Sequence, residues 1–133
     1  MSINRNLHRT LFGIWLLFVL FGLLAAGWAY LMHPTHGGNS ELDILVFLAG
    51  LAFAVFSLFP LVGHILILRG VRAGGVLVVV GCALPLFRFI ESCLGQLADA
   101  RLPIYVVLPI AFLGLNVWAG IRAAMPPSSG PSS

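Results

Sequence analysis

The run LFGIWLLFVLFGLLAAGWAYLM, Leu11 to Met32, contains no charged residue. A helix needs roughly 20 apolar residues to cross a hydrocarbon core about 30 Å thick, and this run supplies them without a break. Three more runs of the same kind follow, Ile44 to Leu68, about Gly74 to Leu97, and Pro103 to Ile121. Helix is the expected form of each, because a backbone in lipid must satisfy its own hydrogen bonds. The runs are also too long and too continuous for the strands of a membrane barrel. The expected fold is therefore all-α and integral to the membrane, a four-transmembrane-helix bundle with short loops.

Composition agrees. Of 133 residues, 60% are hydrophobic and 8% charged, and the mean hydropathy is +1.07. A soluble domain carries about 25% charged residues to face water. Residues 1–125 form one expected domain, followed by a Pro/Ser/Gly-rich tail at 126–133 that is expected to be disordered. The first run exceeds the roughly 7–15 residues of a signal-peptide core and no A-x-A site follows it, so it is read as a retained span.

The net charge of +3 does not point to nucleic acid. The basic residues stand singly, mostly at the ends of apolar runs, rather than on a patch with interleaved aromatics. All seven are Arg, with no Lys, a usage that fits a GC-rich bacterial genome. Arg5 and Arg9 precede the first span, Arg69 and Arg72 separate the second from the third, and Arg122 follows the fourth. Of the other two connections, one holds Arg101 and the other, HPTHGGNSELD, has two acids and no base. The positive-inside rule then places both termini in the cytoplasm, with Trp15 and Trp118 towards the inner interface and Trp28, Tyr30 and Tyr105 towards the outer. The expected location is the bacterial inner membrane.

The segment PLFRFIESCLGQ, Pro85 to Gln96, puts one charge of each sign inside the third run. On a helix, Gly74, Gly81, Pro85, Arg88, Ser92 and Gly95 share one small and polar face. Small residues let helices approach closely, and polar side chains then bond across the contact. An unpaired Arg near the membrane middle costs about 2.5–3.5 kcal/mol on insertion scales. Glu91, three residues on, is the nearest partner. The Arg88–Glu91 pair is expected to face the bundle interior, with Ser57 and Asn116 at similar depth and Ser92 and Gln96 continuing the polar stripe. Such a pair can fix helix register, dock a partner subunit, or line a ligand or ion path. Gly22–Ala26 and Gly50–Ala54 add small-xxx-small contacts for helix packing.

Other residues offer less chemistry. His33 and His36 form an H-P-T-H element near Glu41 and Asp43, a weak candidate for zinc or copper and more simply a solvated loop. His64 sits in the second run with no second intramembrane His at matching depth, since His8 is read as lying in water before the first span. A single-chain cytochrome is thus unsupported, and whether His64 ligates a cofactor shared with a partner stays open. Cys82 and Cys93 lie about 16 Å apart along one helix, too far for a disulfide. No Walker A loop, G-x-S-x-G elbow, H-E-x-x-H helix or C-x-x-C pair is present. No cofactor and no enzymatic activity are expected. Two functions remain: an accessory, assembly or regulatory subunit acting by association with a membrane partner or its own copies, and an oligomeric transporter or channel with a polar path along the third helix.

Overall fold

The computed structural model describes residues 4–32, 40–96 and 104–126. Four α-helices account for nearly all of them: α1 (Arg5–Met32), α2 (Ser40–Leu68), α3 (Ala73–Gln96) and α4 (Ile104–Ala124). Each is long and apolar enough to cross a membrane. They coincide with the four apolar runs, and the largest departure is at the start of α1. There Asn4 caps the helix, its side-chain oxygen accepting the Leu7 N–H at 3.2 Å, which satisfies one of the free donors of a helix N-terminus. Hydropathy marks only the part of α1 that suits lipid; the cap begins it a turn and a half earlier. As a result His8, expected in water ahead of the span, lies inside α1 and is 4% exposed.

The turn between α2 and α3 is fixed by one glycine. Gly70 has φ of 82°, a left-handed conformation that costs glycine little. Its N–H donates to Ile67 O at 2.9 Å and the Val71 N–H donates to Leu66 O at 2.8 Å, the paired bonds that close a helix at a left-handed residue. The two helices therefore run antiparallel and in contact, as the short connection implies.

Each pair of helices consecutive in sequence meets at a pair of glycines. A Cβ on Gly22 of α1 would stand 2.7 Å from Gly50 O of α2, and one on Gly50 would stand 2.8 Å from Gly22 O. Ala26 and Ala54 line the same contact. Gly63 of α2 faces Gly74 of α3, and Gly75 of α3 faces Gly120 of α4, equally closely. Gly81 lies against Phe59 and Pro60. Gly95 touches nothing and takes no part in helix contact among the described residues.

Between these contacts the core is filled by large side chains. Trp15 and Phe18 of α1 pack on Phe112 of α4, with ring centroids 5.4 and 5.7 Å apart, and Phe18 also meets Phe53 of α2 at 5.8 Å. Trp15 is thus a core residue, not an interfacial anchor, and is 5% exposed. Trp28, Tyr30 and Trp118 are exposed, as interfacial aromatics should be, and the Arg122 guanidinium lies 5.2 Å from the Trp118 ring. The Tyr105 side chain lies outside the described residues. Apolar surface is extensive, with Phe21, Leu24, Leu31, Leu45 and Phe87 all exposed.

One helix is packed unevenly. Gly74, Gly75, Val78, Gly81 and Cys82 in the first half of α3 are buried, whereas from Ala83 to Gly95 only Cys93 is. The first half of α3 is locked to α2 and α4, and the second half stands largely uncovered.

The glycine contacts make a direct prediction. Gly50→Val drives a side chain into the backbone of Gly22 and Ala26, so it should destabilise the fold by about 1–3 kcal/mol, while Gly114→Ala, at a position with nothing within 4 Å, should be close to neutral. Thermal unfolding in detergent, followed by circular dichroism, reads both.

Candidate functional site

Asn116 on α4 is the polar centre of the fold. It is fully buried, as is His64 on α2. The Asn116 side-chain oxygen, Oδ1, accepts the indole N–H of Trp15 on α1 at 2.8 Å, and its Nδ2 donates to Phe112 O at 2.8 Å. Because an indole nitrogen can only donate, the atom it meets must be the amide oxygen, and the orientation of Asn116 is settled. The same oxygen lies 2.9 Å from His64 Nε2. An amide oxygen only accepts, so Nε2 of His64 carries its proton. Nδ1 of the neutral His64 ring is then an acceptor.

His64 Nδ1 lies 3.0 Å from Nδ1 of His8 on α1. With His64 Nδ1 accepting, His8 Nδ1–H donates, and His8 Nε2 is left as the unprotonated end of the chain. With both rings neutral, every tautomer follows from the donor-only indole. The sequence His8–His64–Asn116–Trp15 ties three helices through one polar thread in an otherwise apolar interior. Ser57 does not join it; its hydroxyl donates to Phe53 O at 2.7 Å, within its own helix.

The two histidines thus do meet inside the spans, contrary to the sequence expectation. They approach through Nδ1 at 3.0 Å, with the Nε2 of His64 held by Asn116, which leaves no room between them for a porphyrin. Among the described residues no group of three or more His, Cys, Asp or Glu is placed to hold a metal. His33 and His36 lie outside the described residues, as do Arg101, the Gln96 side chain and the tail from 127 on.

The Arg88–Glu91 pair forms, but not where it was expected. Arg88 Nη1 donates to Glu91 Oε2 at 3.2 Å, with the side chains 74% and 59% exposed. It faces away from the helices rather than into them, joined on the exposed surface by Ser92. Neither Ser57 nor Asn116 reaches it, since both are bonded elsewhere. The reason lies in α3 itself: Gly74 and Gly81 place the first half of the small face against α2, while the second half has no helix against that face. Arg88 stands about 12 Å along the axis from Gln96, the last residue of α3, among the exposed apolar residues Leu84, Phe87, Ile90 and Leu94.

Four membrane-length apolar helices, a buried polar thread and an outward charge pair define a small multi-pass helical membrane protein. No protein-family model, curated protein or solved structure matches this chain.

The thread predicts that Asn116→Leu leaves two buried donors, on Trp15 and His64, without an acceptor. An unsatisfied buried donor costs about 1–3 kcal/mol, so the substitution should lower the unfolding midpoint although Leu suits an apolar core. His64→Leu/Asn116→Leu together should cost less than the sum of the single changes, which a double-mutant cycle in detergent measures.

Proposed function

We propose that this chain is a non-enzymatic, multi-pass protein of the bacterial inner membrane that acts by association, as an accessory, assembly or regulatory subunit of a membrane complex. The observation that carries the reading is the uncovered second half of α3 with its Arg88–Glu91 pair. A polar pair facing hydrocarbon is costly, and intramembrane charges normally face a protein interior or an aqueous cavity. Another protein surface laid on this face would cover the pair and the exposed Leu84, Phe87 and Leu94 together. Interhelical hydrogen bonds and van der Waals contact, the forces that hold membrane helices together, are both available there.

Orientation follows from the arginines. Arg5 and Arg9 at the start of α1, Arg69 and Arg72 beside the α2–α3 turn, and Arg122 in the last turn of α4 lie at one end of the antiparallel helices, with the acids Glu41, Asp43 and Glu91 towards the other. The positive-inside rule supports a cytoplasmic location for that end and so for both termini.

A second reading uses the same face. Copies of this chain arranged around Arg88, Glu91 and Ser92 would enclose a polar path between subunits, as in an oligomeric transporter or channel. The polar groups within a single chain do not favour a private path: Ser57, His64 and Asn116 are hydrogen-bonded to one another, to His8 and Trp15, or to backbone.

The two readings separate by experiment. Under the association reading, Arg88→Ala lowers accumulation of the protein or retention of its partner on gentle extraction, and the swap Arg88→Glu/Glu91→Arg partly restores it. Loss of ion or solute flux by Arg88→Ala at unchanged accumulation and unchanged partner retention would sink association and favour transport.

A further inference from the structure

We infer that the groove between α3 and α4, at the arginine-rich end of the helices, binds an anionic phospholipid. The phosphate is held between Arg72 and Arg122, and the glycerol end of an acyl chain lies in the groove. The inference is independent of the Arg88–Glu91 face, which belongs to the other half of α3. The groove has a volume of about 370 Å³ and is lined by Val76 and Val79 of α3, Ile121, Ala124 and Met125, and Pro126. Two of these residues, Ala124 and Val79, flank the Gly75–Gly120 contact. The groove is thus the outer seam of a close helix crossing, and backbone packing holds its walls.

Charge sets the rim. Arg72 is the residue before α3, and its carbonyl accepts the Gly75 N–H at 2.9 Å, so it continues the first turn. Val76 and Val79 follow it by four and seven residues, which puts Arg72 at the head of their stripe. On α4, Trp118, Ile121, Arg122 and Met125 recur at helical spacing, and all four are exposed. The Arg122 guanidinium lies 5.2 Å from the Trp118 ring centroid. A guanidinium lying over an indole presents its N–H groups in its own plane, where the oxygens of a phosphate can accept them.

The occupant follows from the surroundings. This end of the molecule carries Arg5, Arg9, Arg69, Arg72 and Arg122, while the described acids Glu41, Asp43 and Glu91 lie towards the other. An apolar groove with a basic rim, beside a tryptophan suited to the membrane interface, matches a molecule with an apolar body and a negative head. Anionic phospholipid has that form and belongs to the bilayer in which the helices sit. A zwitterionic lipid carries the same phosphate but adds an ammonium, which two arginines repel. The segment from 127 on follows Pro126 but holds only Pro, Ser and Gly. It brings neither a bulky apolar side chain nor a negative one.

The test is native mass spectrometry of the full chain in detergent, mixed with equal amounts of phosphatidylglycerol and phosphatidylcholine bearing the same acyl chains. One phosphatidylglycerol retained per chain, in preference to phosphatidylcholine, is expected. Arg72→Gln and Arg122→Gln should each cut that preference about fivefold, whereas Arg5→Gln/Arg9→Gln, at the same end but on α1, should change it by less than about twofold. Val76→Trp fills the groove and keeps both arginines, so it should also lower retention of phosphatidylglycerol. Val76 is exposed, so this change leaves the core intact, and circular dichroism checks the fold of every variant. Equal retention of the two lipids overturns the inference. So does a loss of preference with Arg5 and Arg9 as large as with Arg72 and Arg122, which marks a diffuse basic surface. Displacement of the lipid by glycerol phosphate marks a site for a free phosphate group and overturns it too. A Val76→Trp variant that retains the lipid and alters only the oligomeric state would do the same, with a second copy of the chain as the occupant.

Discussion

The oxygen of one amide holds this fold to a single arrangement. Asn116 Oδ1 accepts from an indole on α1 and an imidazole on α2 while standing on α4. In hydrocarbon there is no water to replace either bond, so a rotated or shifted helix would strand two donors at once. Apolar side chains alone give a membrane bundle little preference among registers, because lipid tails are as apolar as leucine. The polar thread supplies that preference for α1, α2 and α4. The glycine pairs then set how close neighbouring helices come, and they bring α3 in through Gly63–Gly74 and Gly75–Gly120.

These two devices leave the molecule asymmetric along its length. The thread and two of the three glycine contacts lie towards the end that carries the α2–α3 turn, where α3 is buried against its neighbours. Towards the other end α3 emerges with Arg88 and Glu91 facing outwards. One half of the structure satisfies its polar groups internally. The other presents a charge pair that a second protein surface could satisfy, and the proposed association depends on that contrast.

The four helices were legible in the sequence because a span is a property of local composition: twenty consecutive apolar residues mean the same thing wherever they occur. The turn at Gly70 was legible for a similar reason, being short and close to two arginines. What could not be read was which face of a helix meets which neighbour. Arg88 shares a face with Gly74 and Gly81, and that face does pack on α2, but only along its first half. The thread was missed because its members lie far apart in the chain and each has an ordinary individual explanation. Trp15 passes for an interfacial aromatic, and His8 seems to stand outside the span until Asn4 is recognised as a helix cap. Asn4 is the local signal that was available: a good capping residue just ahead of a long apolar run moves the helix start back far enough to bring His8 into it.

The most direct test of the polar thread is nitrogen-15 NMR of the histidine-labelled protein in detergent at neutral pH, which reports the tautomer of each imidazole. Expected are a His64 ring protonated at Nε2 and a His8 ring protonated at Nδ1, the latter sharing a scalar coupling with His64 Nδ1 across their hydrogen bond. A His64 protonated at Nδ1, or His8 and His64 both exchanging between tautomers as they would in water, would contradict the bonding through Asn116 on which the arrangement of the helices rests.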